Sequence, residues 1–222
     1  MTKKERGRII VNRLKDVYPD SCSLIAEKDY ELLFATRLSA QCTDARVNKV
    51  TQVLYAKYTT LEALADADQD DIAEIVKPCG LFRTKARDIK LGAVKLITDF
   101  GGKVPNTMEE LLTIPGVGRK TANLILSDIY GYPAIVADTH CIRISGRLGL
   151  TDGGKDPYKV ELALSKIIEP EDQASLCHRF VHFGRDICTA RSPKCSICPL
   201  SDICMENIKN NRSSKKADFS KI

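Results

Sequence analysis

The chain contains 222 residues, of which 43% are hydrophobic and 28% are charged, with 13 glycines and 9 prolines. This composition is that of a globular protein, and it excludes collagen-like, low-complexity and wholly disordered chains. The 34 basic and 29 acidic side chains give a formal net charge of +5, which is typical either of a protein with a polyanionic partner or of a mildly basic enzyme.

Neither a membrane span nor a signal peptide is predicted. No apolar run approaches the roughly 18 to 20 residues that cross a bilayer, and the polar opening MTKKERGR lacks an apolar stretch. We therefore expect a cytoplasmic protein, associated with the nucleoid if its source is bacterial.

Helical periodicity recurs along the whole chain, whereas the alternation typical of strands is scarce. Two apolar stripes have three- and four-residue spacing: Tyr30, Leu33, Phe34 and Leu38 in one, and Ala86, Ile89, Ala93, Leu96, Ile97 and Phe100 in the other. Residues 121–130 are apolar on nearly every side, which predicts a central buried helix. We expect an all-α protein of about ten helices.

Polar residues and glycines predict where helices begin and end. Thr59 with Glu62 and Asn106 with Glu109 have the spacing of a capping box, and Asp156 is typical of an N-cap before a first-turn proline. Glycines predict helix ends at Gly80, Gly101, Gly102, Gly131, Gly153 and Gly154. The polar, basic segment 209–222 predicts a flexible tail.

A glycine turn with the sequence IPGVGRKTA spans residues 114–122, between a short apolar helix and the buried one. Gly116 and Gly118 let the backbone approach another chain closely, and the unpaired N–H groups that follow can bind phosphate, although the turn alone also fits a plain interhelical connection. Lys120 lies in the first turn of the next helix. There the helix dipole and partial burial would disfavour the ammonium form and leave a nucleophilic amine, whereas the residue alone more often indicates a lysine whose stem lies along the surface.

Asp138 follows the apolar segment Ala134–Val136 and opens another helical stretch. Spacing alone favours an N-cap. The same carboxylate could also stabilise positive charge on a sugar while a glycosidic bond breaks, and the two roles are compatible.

Nine cysteines, an odd number without a signal peptide, favour metal ligation over disulfides. Four of them lie within 17 residues with the spacing C-x6-C-x2-C-x5-C: Cys188, Cys195, Cys198 and Cys204. One contiguous wrap of four thiolates favours an iron–sulfur cluster, with zinc as the alternative. A weaker alternative set combines Cys188 with Cys177, His178 and His182. Basic residues in or beside the loop suit phosphate contacts: Arg185, Arg191 and Lys194.

These segments together resemble the helix-hairpin-helix DNA glycosylases of the endonuclease III type. The resemblance covers residues 1–208 and includes IPGVGRKTA, Val136–His140 and the cysteine loop. Further matching segments are LSAQCTD at 38–44, GLFRTKA at 80–86 and FGRDICTARSPKC at 183–195.

The resemblance implies two helical lobes flanking a DNA-binding groove. One is a six-helix barrel domain at 22–133, with the helix-hairpin-helix at about 107–130. The other is an iron–sulfur domain built from residues 1–21 and 134–208, with one four-iron four-sulfur cluster in the loop 188–204. The implied partner is double-stranded DNA with damaged bases or abasic sites, bound by a monomer.

It also implies roles for individual residues. Lys120 would attack C1′ of an extruded nucleotide and form a Schiff base that undergoes β-elimination, with Asp138 as the catalytic carboxylate. Gln41 would fill the gap in the duplex and Leu81 would act as a wedge. The remaining DNA contacts would be Gly116, Val117, Gly118, Arg119, His140, Arg143, Arg185, Arg191 and Lys194.

The implied activity is a bifunctional DNA glycosylase and lyase for oxidised pyrimidines in base excision repair. An adenine mismatch glycosylase is the nearest alternative, although such enzymes typically lack the lysine and have an added C-terminal domain. A non-enzymatic DNA-binding redox protein is a further alternative, but it leaves Lys120, Asp138, Gln41 and Leu81 without a joint purpose. An iron–sulfur electron carrier is a third, and it predicts a soluble redox partner and little affinity for duplex DNA.

Overall fold

The computed structural model describes residues 1–210, and all regular secondary structure in that range is helical. The all-α prediction is therefore confirmed. The chain divides into two compact units, which we call the central unit (Cys22–Tyr132) and the terminal unit (Met1–Ser21 and Pro133–Ile222, described to residue 210). In the part of the chain that the structure describes, no helix combines the length and apolar character needed to span a membrane.

Eleven α-helices have defined bounds within the described residues: α1 (Lys3–Lys15), α2 (Asp29–Leu38), α3 (Asp44–Lys57), α4 (Leu61–Asp66), α5 (Gln69–Val76), α6 (Phe82–Phe100), α7 (Met108–Leu111), α8 (Arg119–Asp128), α9 (Thr139–Leu148), α10 (Pro157–Ser165) and α11 (Gln173–Asp186). Short 3₁₀ turns lie at Lys77–Cys79, Pro170–Asp172 and Cys195–Ile197. Residues 205–210 are also helical, and the predicted tail lies outside the described residues from 211 onward.

The core of the central unit forms around α6, which packs against α2, α4 and α5. Both predicted apolar stripes lie inward, with Ile97 and Phe100 at the margin of the core because they are only half-buried. Helix α8 packs against α2 and α7, and its residues 121–127 are buried. This confirms the prediction of a buried helix directly after the glycine turn.

Two predicted helix starts are wrong by one residue. Helix α4 begins after Thr60, whose side chain accepts the Ala63 N–H at 3.1 Å. Helix α7 begins after Thr107, whose hydroxyl accepts the Glu110 N–H at 3.3 Å and donates to the Glu110 carboxylate at 2.8 Å. In both cases two consecutive residues are good caps, and only the second is close enough to reach the first free N–H groups.

In the terminal unit, α11 packs against α1 and α9. Asp156 caps α10 as predicted and accepts the N–H groups of Tyr158 and Lys159. The helix end predicted at Gly153 and Gly154 is wrong. Helix α9 already ends at Gly149, which adopts a left-handed conformation with φ of +72° that suits glycine.

Helix α1 ties the N-terminus to the C-terminal part of the terminal unit. The buried Arg6 guanidinium donates to the carbonyl oxygens of Leu148 at 3.1 Å and Ile203 at 2.7 Å. About two helical turns further along α1, Arg13 forms a bidentate ion pair with Asp202 at 2.6 and 3.0 Å. The contacts with Asp202 and Ile203 hold the backbone between Cys198 and Cys204.

Candidate functional site

The glycine turn leads directly into α8, and Gly118 is the N-cap of that helix. Lys120 is the second residue of α8 and makes no hydrogen bond or ion pair within the central unit, where it is exposed. The partial burial expected for Lys120 is wrong for the free protein, because burial of α8 starts only at Thr121. The amine therefore stands in solvent at the start of the helix, where backbone N–H groups have no partner within the helix itself.

A buried ion pair lies directly beneath the turn at Gly116. Arg37 contacts the Asp88 carboxylate at 2.8 and 2.9 Å, and the Asp88 side chain is 5% exposed. Gly116 has φ of +76°, and a Cβ there would lie 2.5 Å from Arg37 Nε and 2.7 Å from Asp88 Oδ2. The ion pair thus occupies the space that any other residue at 116 would need.

Gln41 and Leu81 share an uncommon backbone conformation. Within residues 1–210 they are the two non-glycine residues with positive φ, at +57° and +49° respectively. Both are exposed. Gln41 lies within a turn closed by the Cys42 N–H to Ser39 O at 3.0 Å, and Leu81 directly follows a turn closed by the Gly80 N–H to Lys77 O at 3.1 Å. A strained, exposed residue that the surrounding structure holds in place is a frequent feature of functional sites.

Sequence reasoning missed the roles of Lys85, Arg37 and Asp88. Lys85 lies fully buried in α6 between the turns of Gln41 and Leu81, and burial lowers its pKa below the ordinary lysine value. Their spacing in the sequence could have identified Lys85 and Asp88, because the two residues are three positions apart and border the apolar stripe of α6. Charged residues at such positions need an internal partner.

Asp138 is the N-cap of α9, as its spacing predicted. Its carboxylate accepts the Cys141 N–H at 2.7 Å, and the side chain is half-buried. Residues 134–137, which precede Asp138, are buried in the terminal unit, and this anchors the start of α9. The catalytic role of this carboxylate stays a prediction.

The four clustered cysteines line one cavity of about 70 Å³ in the terminal unit, together with Phe183 and Ile187. Arg147 reaches Cys188 Sγ at 3.5 Å, and the Leu200 N–H reaches Cys198 Sγ at 3.4 Å. Four thiols around one partly apolar cavity, with N–H donors aimed at sulfur, fit an iron–sulfur cluster.

The weaker alternative ligand set is not gathered at this cavity. The Cys177 thiol hydrogen-bonds to that of Cys141, and this contact together with burial raises the Cys141 pKa. His182 lies 3.5 Å from the Ser21 carbonyl oxygen. Neither residue, nor His178, lines the cavity of the four clustered cysteines.

The predicted basic contacts of the terminal unit differ in exposure. Arg185, Arg191 and Lys194 are exposed, and Lys194 lies 3.5 Å from the Asp186 carboxylate. The Arg143 guanidinium instead binds the carbonyl oxygens of Cys188 at 3.0 Å and Gly184 at 3.3 Å, and lies 3.1 Å from His140 Nδ1. Contacts of these residues with DNA stay predictions.

Comparison with known proteins assigns the chain to a family. Residues 34–170 match the HhH-GPD superfamily of base excision DNA repair proteins, and residues 188–204 match the iron-sulfur binding domain of endonuclease III. Endonuclease III of Synechocystis sp. is 44% identical over 205 residues, which cover 91% of this chain and 93% of the relative. The predicted iron–sulfur cluster at the cysteine loop is therefore confirmed.

Two solved structures support the same assignment. A trapped endonuclease III–DNA covalent intermediate, an estranged-adenine complex, is 41% identical with a TM-score of 0.88, over 95% of this chain and 99% of that one. A non-covalent endonuclease III–DNA complex is 41% identical with a TM-score of 0.89, over 96% and 100%. This chain belongs to the endonuclease III family of the HhH-GPD superfamily.

Proposed function

We propose that this protein excises oxidised pyrimidines from double-stranded DNA and then cleaves the strand 3′ to the resulting abasic site. The position of Lys120 is the observation that carries the proposal. In a chain of the endonuclease III family, an exposed amine stands in the first turn of a helix, directly after a glycine turn whose N–H groups can bind a DNA phosphate.

The proposed chemistry uses the Lys120 amine as the nucleophile. Once deprotonated, Nζ forms a bond to C1′ while the glycosidic bond breaks, and the base leaves with a proton. Opening of the sugar ring gives a Schiff base between Nζ and C1′. Loss of a C2′ proton then expels the 3′ phosphate, and water releases the sugar from Lys120.

Asp138 is proposed as the catalytic carboxylate. Positive charge develops on the sugar as the glycosidic bond breaks, and a fixed carboxylate stabilises it. The hydrogen bond from the Cys141 N–H orients this carboxylate and leaves its second oxygen available to the sugar. The N-cap therefore fixes the position of the group before substrate binds.

Gln41 and Leu81 are proposed to enter the duplex when the damaged nucleotide leaves it. Extruding a base costs a few kcal/mol, and inserted side chains replace part of the lost stacking. Leu81 suits a wedge because its side chain is apolar and the residue is 55% exposed. Gln41 suits the gap because its amide can both donate to and accept from an unpaired base.

The cluster site is proposed to support DNA binding by a monomer. When bound, the iron–sulfur cluster links four points of the segment 188–204 and so holds that segment folded. Arg191 and Lys194 lie in this segment with exposed side chains. Phosphate contacts from such residues would make affinity fall steeply with salt.

Borohydride trapping tests the nucleophile. The wild type should form a covalent adduct with duplex DNA that contains an abasic site, and Lys120→Ala should form none. Lys103→Ala is the matched control, because Lys103 is another exposed lysine of the central unit. Normal adduct formation by Lys120→Ala would refute the assignment, and absence of adduct from the wild type would favour a non-enzymatic role.

Substrate choice is tested with two lesions. Duplexes with thymine glycol should be cleaved, whereas duplexes with adenine opposite 8-oxoguanine should remain intact. Cleavage of the second duplex alone would show an adenine mismatch glycosylase instead.

A further inference from the structure

Lys85 is fully buried in α6, although lysine side chains rarely leave solvent. Its Nζ donates to three backbone carbonyl oxygens, those of Leu38 at 2.8 Å, Ala40 at 2.7 Å and Cys79 at 2.8 Å. An ammonium group has three N–H donors, so each one is used. No carboxylate of the central unit lies within ion-pair distance of Lys85, and backbone oxygens alone bind the charge.

These three carbonyls belong to the two turns that lead to Gln41 and Leu81. Leu38 is the last residue of α2, and Ala40 immediately precedes Gln41. Cys79 ends the 3₁₀ turn two residues before Leu81. The carbonyls at the end of a helical segment carry partial negative charge and lack helical partners, so both turns offer suitable acceptors for one cation.

The contact with Ala40 bears directly on the conformation of Gln41. The Ala40 carbonyl and the Gln41 N–H belong to one rigid peptide group. Fixing that carbonyl fixes the plane from which φ of Gln41 is measured, and this φ is +57°. Glycine usually occupies such a position because other residues are strained there. Lys85 therefore stabilises a conformation that glutamine alone would not favour.

Leu81 is bound to the same lysine from two sides. The Lys85 backbone N–H donates to the Leu81 carbonyl at 3.0 Å, while the Lys85 side chain holds the Cys79 carbonyl before it. Leu81 thus lies between two hydrogen bonds to one residue, with φ of +49°. A single buried side chain links the positions of the two turns.

We propose that Lys85 is a positioning residue for base extrusion, and that its ammonium group holds both turns in the conformation from which Gln41 and Leu81 enter the duplex. This inference rests on the proposed function, since it assigns Lys85 to the opening of DNA. Lys85 would act in DNA opening alone, because the position of Lys120 depends on α8 and not on the two turns that Lys85 binds.

The test replaces Lys85 with methionine, which keeps a long unbranched side chain and removes the three donors. Lys95→Met is the matched control, because Lys95 lies on the same helix, and its ammonium group contacts only the side chains of Asp99, at 2.6 Å, and Phe100, 5.9 Å from the ring centroid. If Lys85→Met gives no folded protein, Lys85→Gln carries the test, since its amide can donate to two of the carbonyls.

Three substrates separate DNA opening from chemistry. The first is a duplex with thymine glycol paired to adenine, the second has the same lesion unpaired in a bulge, and the third is single-stranded DNA with an abasic site. Single-turnover rates are measured on the first two, and borohydride trapping on the third. Fluorescence of 2-aminopurine beside the lesion reports loss of stacking during extrusion.

We expect Lys85→Met to lower the rate on the paired lesion by about tenfold to a hundredfold, with a smaller loss on the bulge. Adduct formation on single-stranded DNA should stay within about twofold of wild type, because the chemistry at Lys120 is intact. The rise in 2-aminopurine fluorescence should slow in parallel with the rate on the paired lesion. Lys95→Met should behave as wild type throughout.

Equal losses on all three substrates would overturn the inference, because Lys85 would then support only the overall fold. Wild-type rates in the variant would overturn it as well. Failure of the wild type to excise thymine glycol is a different result, since it would refute the proposed function whatever the variants do.

Discussion

Each of the two units contains non-helical backbone that carries residues proposed to contact DNA. The central and terminal units stabilise this backbone in different ways. In the central unit, Lys85 donates hydrogen bonds to the carbonyls of Ala40 and Cys79 in the turns of Gln41 and Leu81. The Arg37–Asp88 ion pair packs beneath Gly116. In the terminal unit, the segment 188–204 has one short 3₁₀ turn at Cys195–Ile197 and four cysteines around a cavity.

Arginines also bind the backbone of the segment 188–204 in the terminal unit. Arg147 donates to the carbonyls of Thr189 at 2.7 Å and Ala190 at 2.9 Å, and Arg6 donates to that of Ile203 at 2.7 Å. Between these anchors, Arg13 donates to the Pro199 carbonyl at 2.9 Å, and the backbone forms short turns. The four thiols themselves are not enclosed, because three of the cysteines are half-buried and Cys195 is exposed. We infer that the central turns are ordered by the protein alone, whereas the segment 188–204 depends on its metal.

The largest expected effect follows from removing one ligand of the cluster. Cys204→Ala should lose the bound iron and the cluster's visible absorbance, and hydrogen exchange should rise across residues 188–204. The central unit should keep its protection, because none of its turns depends on the cluster. Iron content and hydrogen exchange followed by mass spectrometry give the two measurements.

Cys177→Ala is the control for the loss of iron, since Cys177 is buried in the same unit and its thiol forms a hydrogen bond with that of Cys141. It should keep its full iron content. Loss of iron from Cys177→Ala with retention in Cys204→Ala would instead support the alternative set with His178 and His182. Equal loss of protection in the central unit would show that the contrast between the units is wrong.

The second effect concerns the glycine turn of the central unit. Gly116→Ala would place a Cβ against the buried Arg37–Asp88 pair and would strain a backbone with φ of +76°. We expect the free energy of unfolding to fall by about 3 kcal/mol, since the buried Asp88 carboxylate is displaced from Arg37 and keeps only the exposed Arg87 as a cationic partner. Urea unfolding followed by circular dichroism measures the change.

Gly118→Ala is the matched comparison two residues away. Gly118 has φ of −106°, and a Cβ there would meet nothing within 4 Å. Its stability should therefore stay near that of wild type, while its affinity for duplex DNA should fall because the added methyl group limits the approach of a phosphate backbone. Similar destabilisation by both alanines would contradict the role assigned to the buried pair.

Sequence reasoning succeeded where the pattern was local. The apolar stripe of α6, the buried face of α8 and the cap at Asp156 all follow from residues within a few positions of one another. The spacing of the four clustered cysteines likewise sufficed to predict the iron–sulfur segment. Adjacent cap residues could not be distinguished, because Thr59 and Asn106 are as suitable as N-caps as Thr60 and Thr107, and only the structure shows which side chain reaches the free N–H groups.

The contacts that position the site depend on long sequence separations. Lys85 binds the carbonyls of Leu38 and Ala40 from 47 and 45 residues away, and Arg37 meets Asp88 across 51 residues. Carbonyl acceptors leave no trace in the sequence, because every residue has one. The sequence also left open whether Lys120 is a surface lysine or partly buried, since this depends on where the burial of α8 begins.

The smallest expected effect is a pH dependence that arises in the central unit. Burial raises the pKa of the Cys79 thiol from its ordinary 9.0 to about 11. The folded state therefore keeps a proton that the unfolded state loses, and the stability this provides is complete below pH 9 and falls as the pH rises towards about 11. The loss amounts to at most about 1.4 kcal/mol per pH unit.

Other groups titrate in the same range, so the measurement is the difference between wild type and Cys79→Ala. Urea unfolding of both proteins across this interval should show a shallower decline for the variant, because alanine has no proton to lose. Parallel declines would mean that the Cys79 thiol ionises alike in the folded and unfolded states. Solvent would then reach this sulfur, and the Cys79 carbonyl beside it would be a weaker anchor for Lys85 than its burial indicates.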